Sequence, residues 1–349
     1  MNTSRHLSAF LLAPDICHLN HGSYGAVPRI VHEKHCALLR QMEERCSSWF
    51  RDTYPVLMAD ARRSAASFLG GLERDWVFAE SATQACNAIL LSQKLSAGDE
   101  VIFLSEIYGA VHKALRHWCE SRGVILVEVP VALPVEGPEQ VVDGLRAALT
   151  GRTKLAVFDH IASPSAIRMP VEEMSRICRD NGTRVLIDGA HVPGQLPLDV
   201  EAIGVDYYVG NAHKWLFAPK GCAVLWARSD RQADLHPGSI SHGYGEGWQV
   251  EFDWVGTRDA TPWFCLPDAI GAWERFGGLD LVARNKALAR DAGEMLAHEL
   301  RAELSCPADM AYAMATLRLP GVTGDVNAIK RELGRRYPTC VCEILYEAT

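Results

Sequence analysis

The sequence has no long hydrophobic run. Its N-terminal apolar stretch is Ala9 to Ala13, closed by Pro14-Asp15, whereas a secretory signal needs an apolar core of about 7–15 residues and a membrane helix about 20. Neither secretion nor a membrane span is expected. Positive charge is also scarce: 35 Lys plus Arg stand against 43 Asp plus Glu, a formal charge of −8. The basic face that nucleic acid or an anionic membrane requires is therefore not expected, although a local basic pocket for a small anion remains compatible with an acidic chain. No cysteines are spaced C-x-x-C, and the eleven present are scattered and odd in number. A chain of this length needs no disulfide staples, so reduced thiols and a cytoplasmic setting are expected. No repeat or low-complexity segment is present. No G-x-S-x-G or G-x-G-x-x-G follows a strand pattern, which disfavours serine hydrolase and dinucleotide sites. His32/His35 and His18/His21 are pairs at helical spacing without a third zinc-like ligand, so no metal is expected.

What is present is an ordinary globular composition, 48% hydrophobic and 22% charged over 349 residues, enough for two domains. Between Trp76 and Ala227, seven short β-rich runs alternate with helical patterns. The runs are Trp76–Phe78, Val101–Leu104, Val124–Val127, Leu155–Phe158, Val185–Ile187, Tyr207–Val209 and Ala223–Trp226. Most are continuously apolar, as parallel strands buried on both faces are. Thr83–Leu91, Tyr108–Glu120, Pro138–Leu149 and Val171–Asn181 carry apolar residues at helix spacing. The fold class read from this is α/β, with a mostly parallel sheet between helical layers. His236–Trp248 reads as a loop, Leu279–Leu304 as one long helix, and Thr316–Leu319, Val326–Arg336 and Cys340–Leu345 as a small α+β unit. The boundary is placed near Gly278, giving a large domain of residues 1–278 and a small one of 279–349.

Ligands of open α/β sheets bind beyond the carboxyl ends of the strands. The residues just after the strands include Ser81-Ala82-Thr83, Tyr108, Asp159-His160, Asp188 and Asn211-Ala212-His213-Lys214. Lys214 is followed by Trp215-Leu216-Phe217. A lysine desolvated among aromatics loses pKa and becomes a nucleophilic amine, although an arbitrary lysine is usually a snorkelling surface residue. Asp188 ends a Val-Leu-Ile strand, where a turn aspartate is common and a rim carboxylate for a buried cation is the sharper alternative. The two together suggest pyridoxal phosphate, with a Schiff-base lysine and an acid that keeps the pyridine nitrogen protonated. Thr83, at the start of a helix, suits the phosphate; the same hydroxyl equally suits a simple N-cap.

The runs Leu186–Gly194 (LIDGAHVPG) and Asp206–Leu216 (DYYVGNAHKWL) resemble the class V aminotransferase family of pyridoxal-phosphate enzymes, and more narrowly its isopenicillin N epimerase-like branch. His18–Gly25, Glu80–Gln84, Asp159–Pro164, Ser241–Gly243 and Asp253–Asp259 support it in family order. The resemblance implies a fold-type I transferase fold with a seven-stranded sheet, a homodimer and pyridoxal 5′-phosphate bound through Lys214. It implies that Asp188 pairs with the pyridine nitrogen, His191 with the phenolic oxygen, and that Tyr108 stacks on the ring. Ala82, Thr83, Gln84 and His213 would bind the phosphate, Thr257 would reach it from the neighbouring subunit, and Asp159 and Ser163 would line the cofactor site. Asn20, His21 and Tyr24 would line the substrate pocket, with Arg51 on a substrate carboxylate.

Three departures accompany the resemblance. Ser81 stands where many relatives have Asn, and His191 where cysteine desulfurases have Gln. The C-terminal domain is short, without the arginine that relatives place there to grip the substrate carboxylate. The expected chemistry begins with Lys214 removing the Cα proton of an amino acid. Epimerisation or β-elimination of a sulfur group is favoured over transamination, with Tyr108 or Tyr24 as a proton donor. The rival readings are an aminotransferase or cysteine desulfurase-like activity and a pyridoxal-phosphate-binding protein without turnover. A desulfurase would need a mobile thiolate, and Cys306, Cys340 and Cys342 are its C-terminal candidates.

Overall fold

The structure, a computed structural model, describes residues 6–320, 325–337 and 339–340. Seven strands form the central sheet: β1 (Trp76–Ala79), β2 (Glu100–Leu104), β3 (Ile125–Val129), β4 (Thr153–Asp159), β5 (Arg184–Asp188), β6 (Tyr207–Asn211) and β7 (Ala223–Ala227). Their order across the sheet is β1-β7-β6-β5-β4-β2-β3. The pairings β3–β2–β4–β5–β6 are parallel; β7 runs antiparallel to both β6 and β1. Each expected strand is found, within a residue or two at its ends. The fold is the expected α/β type I arrangement.

The apolar runs have a direct cause in the layering. Alternate residues of one strand enter different cores: Trp76 and Phe78 pack on one face with Met58 and Trp263, while Val77 and Ala79 pack on the other with Val111 and Trp118. With helices on both faces, neither parity of a central strand meets water, so the period-2 signal disappears and a continuous run remains. The covering helices include α1 (Arg29–Glu44), α2 (Tyr54–Leu69), α3 (Ala82–Leu91), α4 (Gly109–Glu120), α5 (Pro138–Ala148), α6 (Val171–Asp180), α7 (Leu266–Arg275) and α8 (Leu279–Leu300).

Strand order reverses between β2 and β4, because the chain runs outward from β2 to the edge strand β3 and then returns to pair β4 with β2. Such a switch opens a crevice at the strands' carboxyl ends. Tyr108 follows β2, Asp159 ends β4, and Asp188 ends β5 opposite it in register.

The long helix is shorter than its sequence pattern suggests. It ends at Leu300; Arg301 turns left-handed at φ 51°, and Glu303–Leu304 pair antiparallel with Leu317–Arg318. Leucine at 304 fits either state, and the strand partner decides. The expected helix Val326–Arg336 is present. Of the expected Cys340–Leu345 strand, Thr339–Cys340 pairs in parallel with Cys17–His18, and the remainder lies outside the described residues. His236–Trp248 is irregular to Gly247, and a helix starts at Trp248.

The N-terminal segment crosses the rim of the sheet at close range. A Cβ on Gly25 would sit 2.3 Å from the Lys214 carbonyl oxygen and 2.6 Å from that of His213, and the Gly25 carbonyl accepts from Lys220 Nζ at 2.7 Å. Backbone cannot yield to such a contact as a flexible side chain can. Gly25→Ala should therefore destabilise by about 1–3 kcal/mol, whereas Gly151→Ala, where nothing lies within 4 Å, should stay within about 0.5 kcal/mol. Urea melts of the two variants check this; equal midpoints would refute the close-packing argument.

Candidate active site

The carboxyl ends of β4, β5 and β6, the N-terminus of α3 and the segment around residues 18–26 enclose a cavity of about 1470 Å³. Twelve of the residues expected at the site line it: Asn20, His21, Tyr24, Ala82, Thr83, Tyr108, Asp159, Ser163, Asp188, His191, His213 and Lys214. Three do not. Arg51 is exposed and paired with Asp52 at 2.8 Å. Thr257 is exposed and lies off the cavity. Gln84 turns back along the chain, its Oε1 accepting the Glu80 N–H at 2.8 Å while its own N–H donates to Ser81 Oγ at 3.2 Å. Ser81, not Thr83, is thus the N-cap of α3, and Gln84 bonds the N–H of the residue before the cap. The serine just before the helical pattern is a sequence signal for that cap.

Asp188 is the electrostatic centre. It is 2% exposed; Oδ1 accepts the Ala190 N–H at 2.9 Å, and Oδ2, fully buried, meets no donor among the described residues. Burial pushes its pKa up, against the pull of Lys214. A buried carboxylate oxygen without a donor is costly unless a cation or N–H meets it. Asp159, its neighbour across β4–β5, is raised well above the ordinary range by burial and then by Asp188. Its oxygens accept long 3.4 Å contacts from the Tyr108 and Ser163 N–H groups, tying together the loops that follow β2 and β4.

Lys214 Nζ lies 3.0 Å from His191 Nε2. His191 also faces Ser163 Oγ at 3.4 Å and the Trp215 indole, and burial, then the Lys214 charge, hold its pKa well below the ordinary value. His213 Nδ1 points at the Cys222 carbonyl at 2.9 Å, so that nitrogen carries the proton. His21 packs between Trp215 and Phe217.

Two further residues belong to this wall. Asn211 Oδ1 accepts the Ala82 N–H at 2.8 Å and fixes the start of α3 against β6; its place just past a strand was a usable signal. Lys220 lines the cavity and clamps Gly25, which nothing in the local sequence announces. The far wall runs along α8, with Leu281 and Leu288, to Met314.

The donor set therefore offers an acid for a cationic ring nitrogen, an amine beside an imidazole, and a capped helix N-terminus for an anion. The family model for aminotransferase class-V matches residues 45–257. The chain belongs to the class-V aminotransferase family. Its cofactor is pyridoxal 5′-phosphate, and it is an enzyme of that family. It is similar to an L-cysteine desulfhydrase of Arabidopsis thaliana, 31% identical over 338 residues, covering 90% of this chain and 74% of the relative. It is also similar to the isopenicillin N epimerase of Streptomyces clavuligerus, 30% identical over 350 residues and covering 94% and 86%. Among solved structures, the cystine C–S lyase C-DES shares the fold, with a TM-score of 0.80 at 21% identity over 93% of this chain and 89% of that one. No helix among the described residues is long and apolar enough to cross a membrane.

Burial holds His21 and His213 down to about 4 and His160 down to about 3. In the unfolded chain an imidazole titrates near 6.5. The unfolded state therefore binds more protons below that pH, and stability falls as pH drops from about 6.5 toward 4. Asp159 and Asp188, whose folded pKa values are raised, oppose this by taking up protons in the native state. His160→Gln should flatten the loss of urea midpoint between about pH 7 and about pH 5; an undiminished loss would remove His160 from the cause.

Proposed function

We propose that this chain is a pyridoxal-phosphate-dependent C–S lyase that eliminates sulfide from cysteine or a close β-thio amino acid, with Lys214 as the cofactor lysine. The observation that carries the cofactor's placement is Asp188 Oδ2, buried and without a donor among the described residues, on the same cavity wall as Lys214; the similarity to L-cysteine desulfhydrases supports the lyase reading. When bound, pyridoxal phosphate supplies an electron sink that acidifies the proton on the substrate's Cα.

The residues have defined tasks in this proposal. Asp188 holds the pyridine-nitrogen proton at Oδ2, which satisfies the orphaned oxygen and keeps the sink strong. Lys214 takes the Cα proton at Nζ as general base. His191 donates to the phenolic oxygen, and Tyr108 covers the ring and delivers a proton to the departing sulfur. The start of α3, with Ala82 and Thr83, receives the phosphate. His213, protonated at Nδ1 toward Cys222, needs a second proton at Nε2 to donate there, which a neighbouring phosphate dianion favours. Asn20, His21 and Tyr24 close the substrate side.

The lyase is preferred to a persulfide-forming desulfurase because Cys306, the described C-terminal candidate, has its thiol pushed up to about 11 by burial, the wrong direction for a thiolate. Cys340 and Cys342 are not described at the side-chain level. The homodimer forms part of the proposal: Thr257 and Arg51, exposed and off this chain's own cavity, suit residues given to a neighbouring subunit's phosphate and substrate. A cytoplasmic setting forms part of it too, supported by the scattered, unpaired thiols. Epimerisation is the second reading, favoured by the match along 86% of the Streptomyces enzyme.

The purified protein should be yellow, and borohydride should fix the cofactor to Lys214. With cysteine, pyruvate, ammonia and sulfide should appear together. Deuterium entering Cα in heavy water without pyruvate would shift the assignment to the epimerase. Asp188→Asn should retain the lysine linkage and lose turnover by roughly 100-fold or more; full activity in that variant would take Asp188 out of the site.

A further inference from the structure

Trp215 follows Lys214 directly, and its Nε1 donates to His191 Nδ1 at 3.3 Å. An indole N–H only donates. The receiving nitrogen must therefore present a lone pair, and in a neutral imidazole the proton then resides on the other nitrogen. That other nitrogen, Nε2, is the one aimed at Lys214 Nζ and Ser163 Oγ, 3.0 and 3.4 Å away. In the competing arrangement, Lys214 donates to Nε2 and the imidazole proton moves to Nδ1. That would set two N–H groups against each other across 3.3 Å, whereas the Nε2–H form needs Lys214 Nζ to accept as a free amine, since an ammonium has no lone pair to offer.

The indole is well placed to impose this choice, because it is wedged. Its ring centroid lies 5.5 Å from that of His21, and a Cβ on Gly22 would come within 3.1 Å of its Cζ2. Its carbonyl lies against Gly194, which takes φ +86° with no room for a Cβ. The His191 carbonyl in turn accepts from Gln195 Nε2 at 2.7 Å, which fixes the backbone that carries the imidazole.

We propose that Trp215 is a positioning residue that locks His191 in the Nε2–H tautomer, making the imidazole a standing donor to whatever acceptor lies beside Lys214. The consequence for the cofactor rests on the function proposed above; the tautomer itself does not. A standing donor on the phenolic oxygen withdraws electron density from it. The Schiff-base nitrogen then holds its proton less tightly, and the lysine-linked chromophore deprotonates at lower pH. The ionisable groups around His191 are Lys214 across the gap and Asp188 three residues earlier on the same strand end; Ser163, Trp215 and Gly22 also lie against its ring.

Two measurements test this. Histidine-selective ¹⁵N NMR, on the protein as purified and after cofactor removal, reads the tautomer without any assay of activity, and His191→Gln assigns the signal. A proton on Nε2 and a bare Nδ1 in both forms is expected, giving way to a mixture or to Nδ1–H in Trp215→Phe. A proton on Nδ1 in the wild-type protein overturns the proposal without recourse to any variant. In visible titrations, Trp215→Phe should raise the chromophore's midpoint by about half a pH unit or more, roughly a threefold change in the proton equilibrium. An unchanged midpoint overturns the link from Trp215 to the cofactor. A protein that binds no cofactor would instead overturn the proposed function and leave the NMR result standing.

Discussion

One carboxylate, Asp188, sets the terms for the rest of this structure. It is removed from water at the end of a parallel strand, with one oxygen held by the Ala190 N–H and the other by nothing in the described chain. Burying a charged oxygen without a donor is among the costlier acts a fold can perform, and local packing gives no return for it. The surroundings make sense as compensation. Lys214 lies on the same wall, the strands on either side keep the site dry, and the β2/β4 reversal leaves a crevice large enough for a ring to enter beside the free oxygen. The same low-dielectric setting that makes a donorless carboxylate oxygen expensive makes an ion pair formed there strong.

A second constraint is how the rim is closed. The N-terminal segment lies on the backbone of residues 213 and 214 so closely that only glycine fits at position 25, and Lys220 clamps the same residue through its carbonyl. This contact brings His21 against Trp215 and places Gly22 over the indole. The segment carrying the substrate-side residues and the strand end carrying the lysine are thus held as one unit. Dislocation of the first would be felt at the second through the Trp215–His191 pair.

Much of this was legible in the sequence, for a physical reason. A sheet covered on both faces writes itself as apolar runs, and the residues that follow those runs lie on the rim. Asp188, Lys214, Tyr108 and Asp159 could therefore be found by position alone. Residues whose meaning depends on rotamer or on distant chain were not legible in that way. Gln84 sits in a motif position yet turns its side chain back onto the Glu80 N–H. Lys220 meets Gly25 from 195 residues away. Trp215 read only as an apolar neighbour of the lysine, because its polar handle matters only once His191 is known to lie 3.3 Å from it. The end of the long helix is not legible because Leu304 fits a helix as well as a strand, and the strand Leu317–Arg318 that claims it is not adjacent in sequence.

The pair Asp159–Asp188 shows how the site can be ready for a cation before one arrives. Two buried carboxylates on neighbouring strands cannot both hold full charge at low cost, and their titration belongs to the pair rather than to either residue. The asymmetry lies in their donors. Both feel the pull of Lys214, but Asp188 has a short 2.9 Å backbone donor, while Asp159 has two long contacts at 3.4 Å and is raised further by Asp188. A cation placed against Asp188 Oδ2 drives that carboxyl to its charged form and leaves the proton on Asp159. A protonated Asp159 still accepts from the Tyr108 and Ser163 backbones, so the loops stay tied while the charge settles on the residue that faces the ring. The second acid thus adds no charge beside the ring, and one proton held between the pair spares it from burying two full charges.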